Sequence, residues 1–319
     1  MKIKTFINVL ATPIEYFFDW LRLMRWSKAS PMCPEQKQLH YDILLLAHTV
    51  EKGLSVANTR PGFGKEKISR LLELLLNYDE NWDAFALEKS YGCLSQYLSW
   101  HKSIGYDLVE LEEPISNFIK RCIGLGLNPR GGTKQIVNAA NVENPVLQDA
   151  LMSRFSCRRF EPVLVSECNL QKISLIAART PSQCNRQSSR VHYFSDKAKI
   201  LELLSLQGGA GGFLDSVYNL FIVTSDISAW SGYKARSQAY VDGALTAMQV
   251  LNACQATGLG CCPLNLAVTN AKEKVICDAA GISRGERLIM MIAFGVPEAI
   301  DLSVARSERK PSSQVLIRH

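Results

Sequence analysis

A chain of 319 residues, 47% hydrophobic and 21% charged, has ordinary globular composition and is long enough for two domains or for one large domain with an extension. Its net charge of +6 suits an anionic cofactor or substrate, but no long basic run is present, so nucleic acid is not indicated as a partner. Ten cysteines show no CxxC pair and no zinc-spaced His/Cys cluster, and read as reduced, mostly buried thiols of a cytoplasmic protein.

The first 28 residues combine apolar and aromatic positions, Phe6 to Leu10 and Ile14 to Trp26, with flanking Lys2, Lys4, Arg22, Arg25 and Lys28. Pro13, Glu15 and Asp19 interrupt any membrane-spanning segment, and no small-residue cleavage site marks a signal peptide. Two readings stay open: an amphipathic helix in peripheral contact with an anionic membrane, or a helix packed on its own protein or on a second copy. From 35 to 125 the pattern is helical throughout. Leu39, Ile43, Leu46, Val50 and Leu54 recur at helical spacing, Gly53 reads as a stop, and further helices are expected from Ile68, from Trp82 to Leu98 and from Glu113 to Ile123. This gives an all-helical region over 1–130, followed by a Gly/Asn/Pro-rich linker over 131–145.

After Pro145 the texture changes. Val146 to Ser156 reads as an entry helix and Glu167 to Arg179 as a second, capped by Ser166. Strands are expected at Val191–Phe194, Tyr218–Thr224 and Leu288–Gly295, with helices at Ala198–Ser205 and Gln238–Thr257, the latter ending at Gly258. Residues 146–319 therefore form an α+β domain with an antiparallel-leaning sheet.

Four segments of this half carry chemistry. In Arg154-Phe155-Ser156-Cys157-Arg158 the two guanidiniums suit a phosphate by charge and bidentate geometry, and share a face if the stretch is helical. Pro181-Ser182-x-x-Asn185-x-Gln187 offers the mixed donors and acceptors that a pyrimidine edge needs. Gly258-Leu259-Gly260-Cys261-Cys262-Pro263-Leu264-Asn265 and the basic pair Arg309-Lys310 follow. In this order they resemble the nitroreductase family of FMN-dependent oxidoreductases, and the long helical N-terminus is similar to that of a subgroup associated with bacterial surface-polysaccharide biosynthesis.

The resemblance implies a nitroreductase-like mixed or antiparallel sheet flanked by helices, a homodimer with FMN at the subunit interface, and ping-pong hydride transfer from NAD(P)H through FMN to a small organic acceptor (nitro, quinone or enone-like). Carried over residue by residue, it assigns Arg154, Ser156, Arg158 and Arg309 to the flavin's charged groups, and Pro181, Ser182, Asn185 and Gln187 to its ring. Arg158 would stand at the ring's N1/O2 edge. A backbone N–H of Leu264 or Asn265 would face N5, since Pro263 has none to offer. No side chain is assigned as general acid or base, because the cofactor carries the redox chemistry. Ser188-Ser189 stand where the family often has Pro-Trp. This keeps open a second reading, a non-catalytic domain of the same fold serving as an interaction or membrane-docking module.

Three other features have plainer explanations. Arg60-Pro61-Gly62-Phe63-Gly64-Lys65 lacks the first glycine and the Ser/Thr of a phosphate loop, and reads as a loop able to approach the active site as a lid. His48-x-x-Glu51 reads as a pair on a helix surface, and Gly208 to Gly212 has the wrong spacing for a dinucleotide fingerprint.

Overall fold

The computed structural model describes residues 2–135, 143–298 and 302–318. Residues 136–142 of the expected linker lie outside the described residues, as do the side chains of residues 2–9. Five helices fill the first half: α1 (Lys2–Trp26), α2 (Glu35–Ser55), α3 (Lys65–Leu76), α4 (Ala84–Ser103) and α5 (Glu112–Gly124). Leu39, Ile43, Leu44, Ala47 and Val50 of α2 bury one stripe against Leu71 and Leu75 of α3, Leu87 and Leu94 of α4, and Ile115 of α5. That core does not stop at the helical half: it takes in Ala229, Trp230 and Ala239 from downstream. Gly53 does not end α2 but sits inside it, where a Cβ would meet the Phe63 ring at 1.9 Å. The 60–64 loop is held down accordingly. Phe63 packs edge-on to Tyr97, the Gly62 N–H donates to His101 Nε2 (3.0 Å), and the Tyr97 hydroxyl donates to the Phe63 carbonyl (2.9 Å).

The second half contains α6 (Pro145–Met152), α7 (Glu167–Ala177), β1 (Ser189–Phe194), α8 (Lys197–Gln207), β2 (Asn219–Asp226), α9 (Gln238–Ala256), β3 (Gly260–Asn265), α10 (Asn270–Ala280) and β4 (Glu286–Gly295). The strands form one antiparallel sheet in the order β1-β2-β4-β3, so β1 and β3 are its edges. Alternation along each strand sends residues to opposite layers. Phe221, Val223, Ile292 and Phe294 pack under α7 and α9, while Leu220, Ile222, Met291 and Ala293 pack on α8 and α10. Phe221 and Phe294 stack with ring centroids 4.0 Å apart at the centre of the first layer. Gly243 brings α9 onto β4, because a Cβ there would lie 2.4 Å from the Ile289 side chain.

The α+β architecture with a helical N-terminal region matches the sequence expectation, and Ser166 caps α7 through the Asn169 N–H. Two elements were not expected. Gly260–Asn265 is a strand although Gly and Pro are poor strand formers, because it completes the ladder with β4 at the sheet edge, where proline is tolerated. The α10 helix follows it, capped by Thr269. A third element is shorter than expected: α6 ends at Met152, so residues 154–158 are extended and Arg154 and Arg158 share no helix face.

Candidate functional site

The extended segment lies along the outer edge of β3. Ser156 bridges Cys261 in parallel, and the Cys157 N–H donates to the Cys261 carbonyl at 3.0 Å. With a period of two, Arg154, Ser156 and Arg158 fall on one side of this segment, and Cys157, fully buried, falls on the other. Two neighbouring thiols register the arginines. The hydrogen bond from Cys254, with the charge of Arg154 helping, holds the Cys261 thiol below its ordinary value against burial. Burial pushes the Cys262 thiol up, and Arg158 and Arg154 oppose it. Arg158 is exposed and, among the described residues, reaches its own segment's Ser156 carbonyl at 3.5 Å. Among the described residues Arg154 Nη1, like Trp230 Nε1, is buried without a hydrogen-bond partner. A buried donor without an acceptor is unfavourable by the general rule for uncompensated polar burial, although the Arg154 side chain as a whole is only half-buried.

The edge of β3 also discriminates between the two backbone donors expected from the sequence. Because the Cys261 carbonyl turns outward to Cys157, the alternate residues Pro263 and Asn265 turn their backbone groups outward as well. The Asn265 carbonyl accordingly accepts from Gln207 Nε2 at 2.8 Å. Leu264 directs its N–H into the ladder with β4 and buries its side chain, so it is not a donor to the open edge; Asn265 is.

Pro181, Ser182, Asn185 and Gln187 lie in the loop that leads into β1, on the far edge of the sheet, with β2 and β4 between; that is roughly 14 Å of strand spacing from β3. Cys184, Asn185 and Gln187 have φ of 52°, 53° and 55°, the left-handed region that non-glycine residues seldom occupy. Asp242 of α9 holds this shape. Its carboxylate accepts from the Ser182 hydroxyl (2.6 Å), the Gln183 N–H (3.1 Å) and Gln238 Nε2 (2.8 Å), and the Ser182 oxygen accepts from the Gln187 N–H (2.8 Å). Sequence reasoning missed Asp242. The available signal was that it is the only charged residue in α9. Ser188 and Ser189 close the sheet: Ser188 is buried with its hydroxyl 3.0 Å from that of Ser225, and Ser189 pairs with Ser225 in the β ladder.

Beside this loop the helical half meets the sheet. Asp226 is fully buried, where burial opposes its ionisation, but Lys37 (2.9 Å), the Ser228 hydroxyl (to Oδ1, 2.6 Å) and Arg190 (3.2 Å) outweigh that and hold its carboxyl below the ordinary value. The Tyr41 hydroxyl donates to it as well (3.1 Å). Glu286 is likewise held low despite burial, by His192, Thr224 and Arg190.

A cavity of about 550 Å³ opens between α7, α9 and β1, with Ser182 and Gln187 on its lining. No lysine or arginine lines it, whereas Arg154 and Arg158 stand at the β3 edge. Arg309 lies on an exposed C-terminal segment, where its guanidinium turns back to the Ser307 carbonyl. The structure thus brings Arg154, Ser156, Arg158 and Asn265 to one edge and Pro181, Ser182, Asn185 and Gln187 to the other. Among the described residues Arg309 joins neither group through a hydrogen bond or ion pair.

No family model and no curated protein matches the chain. Among solved structures it is similar to B. megaterium NfrA2, at 19% identity over 54% of this chain and 73% of that one, with a TM-score of 0.48. A protein described as a nitroreductase in complex with FMN, from Desulfovibrio desulfuricans, shows 23% identity over 56% of this chain and 98% of its own, with a TM-score of 0.47. For an FMN-dependent nitroreductase from Clostridium difficile R20291 the values are 19%, 50% and 92%, with a TM-score of 0.43.

Proposed function

We propose that the chain is an FMN-dependent oxidoreductase of the nitroreductase type, working as a homodimer with NAD(P)H as electron donor and a small organic acceptor. The observation that carries this reading is the buried, unpartnered Nη1 of Arg154 at the β3 edge, within a motif that also presents Ser156 and Arg158. These groups fit FMN. Arg154 and Ser156 supply the charge-assisted and hydroxyl donors that a phosphate or ring carbonyl accepts, Arg158 adds a second cation, and the outward N–H of Asn265 is a donor fixed by the sheet. When bound, FMN supplies a ring that accepts and donates two electrons. The chain's own part is to bind it, orient it and stabilise negative charge upon reduction, which is the work of cations and fixed backbone dipoles rather than of an acid or base.

Two features support a second copy. The 181–187 residues stand across the sheet from the arginines, so a site using both groups is more readily completed between subunits than within one chain. Tyr240, Val241, Leu245 and Met248 of α9 and Val315, Leu316 and Ile317 of the C-terminal segment are exposed, apolar surface that a second copy could cover. A polysaccharide-linked acceptor belongs to the same proposal through the N-terminal resemblance.

The test is the absorbance spectrum of the purified protein, followed by FMN titration of the apoprotein and oxidation of NADH and NADPH with nitro and quinone acceptors. A flavin spectrum with stoichiometric FMN and turnover supports the reading. A colourless protein that takes up no FMN overturns it and leaves the interaction-module alternative. Light scattering tests the dimer: a monomer that binds FMN stoichiometrically contradicts it.

A further inference from the structure

We propose that α1 seats the protein on the surface of an anionic phospholipid bilayer, lying in the plane of the headgroups without crossing them. The reasoning begins with how α1 is attached. Its polar residues face inward. Glu15 accepts from the backbone and side-chain N–H groups of Asn270 (2.8 and 2.9 Å), at the N-terminus of α10 where a carboxylate is favoured. Asp19 pairs with Arg287 (2.9 Å), and Arg22 pairs with Glu273 (2.7 Å) and donates to the Arg284 and Glu286 carbonyls. Glu15, Asp19 and Arg22 are spaced i, i+4, i+7, one helical stripe. Trp26 closes the contact against Gly285, where a Cβ would come within 2.9 Å of the indole.

A helix bound through its charges turns its apolar face out. Eight large apolar side chains between Leu10 and Met24 are exposed, from 41% at Leu21 to 70% at Tyr16. At 100° per residue they span an arc of roughly 200°. Four of them, Tyr16, Phe17, Phe18 and Trp20, are aromatic, the class that concentrates at the boundary between headgroups and acyl chains. A second copy of the helix would cover an a/d seam much narrower than this arc, whereas a bilayer surface covers all of it. No helix among the described residues is long and apolar enough to cross a membrane, so the geometry is that of a helix lying flat.

The charge beside the stripe has the matching sign. A groove of about 290 Å³ between α1 and α10 is bordered by Phe18 and Leu21 and by Arg22, Arg25, Lys274 and Arg284. Arg22 and Arg284 are engaged with Glu273 and Asp278, while Arg25 and Lys274, both exposed, form no ion pair among the described residues. Two cations next to an apolar stripe hold a lipid phosphate while the aromatic rings enter the interface. This inference does not depend on the flavin reading.

Vesicle flotation of the full chain tests it, with phosphatidylcholine alone and with about one third phosphatidylglycerol. Native protein is expected to float with the anionic vesicles. Phe17→Glu/Trp20→Glu should lower partitioning by at least ~100-fold, from the loss of two buried aromatics. Arg25→Gln/Lys274→Gln should lower it about 30-fold on anionic vesicles alone. Circular dichroism melting of each variant verifies that the fold is kept, which substitutions at exposed positions allow. The proposal is overturned if native protein floats with neither composition, or if the double glutamate variant floats as well as native. It is also overturned if native protein ignores vesicles and that variant instead halves the mass by light scattering, which would give the stripe to a second copy.

Discussion

The two edges of the sheet are finished in opposite ways. At the β1 edge, among the described residues, the buried carboxylates are matched: Asp226 holds Lys37, Arg190, Tyr41 and Ser228, and Asp242 holds Ser182, Gln183 and Gln238. At the β3 edge, among the described residues, Arg154 keeps a buried nitrogen without a partner and Arg158 reaches its own segment's Ser156 carbonyl, while Arg309 stands apart on an exposed segment. The difference separates polar groups that the fold itself satisfies from those that the proposed cofactor would satisfy. A satisfied buried charge should reveal itself as stability when removed, and an unsatisfied one as binding.

The largest effect is expected at Asp226. Asp226→Asn should destabilise the protein by about 3 kcal/mol, because it leaves Lys37 without its buried anion and Arg190 with Glu286 alone; urea unfolding measures it. The sign with pH follows from the lowered carboxyls of Asp226 and Glu286. Their contribution is fully present above the unfolded carboxylate range, about pH 4, and disappears as pH falls through the still lower folded values. The variant's acid limb should therefore be shallower than that of the native protein; an identical limb would remove Asp226 from the account of acid unfolding.

Asp242→Ala comes next, at about 2–3 kcal/mol, since the Ser182 hydroxyl and Gln183 N–H lose a charged acceptor while three left-handed residues still have to be held. If thermal melting is unchanged, the loop is stabilised by something other than Asp242.

Arg154→Met should do the reverse. The apoprotein should be as stable as native or more so, because an uncompensated buried donor is gone, while FMN binding weakens by roughly 1.5–3 kcal/mol. A variant that loses stability and keeps FMN affinity would make the arginine part of the fold and erase the contrast between the edges.

The smallest effect belongs to Arg309→Ala, about 1 kcal/mol or less in FMN affinity and weaker still at high salt, as for any exposed charge. Unchanged affinity in both arginine variants would withdraw the phosphate-binding assignment altogether.

Much of this architecture could be read along the chain. The repeats of Leu39, Ile43 and Val50, the apolar runs of β2 and β4, the Ser166 cap and the close of α9 at Gly258, whose φ is 74°, are local signals that the folded chain uses as written. The motif residues suggested a chemistry by their type and spacing, but spacing alone gives them no place in the fold. What the sequence did not contain was the consequence of partners far away. Gly-Cys-Cys-Pro becomes a strand only because β4 offers its ladder. The same pairing turns Asn265 outward and Leu264 inward, and it draws Arg154 to Arg158 out of the expected helix into an extended segment. Asp242 became important only when α9 met a loop 60 residues earlier. The direction of α1 is the clearest case: its pattern specified two faces, but ion pairs to Glu273 and Arg287, more than 250 residues away, decided that the apolar one looks out. Periodicity and propensity act within a few residues and are carried by the sequence itself; which face is buried, which N–H is left free and which charge is left unpaired are set by contacts that exist only after the chain has folded.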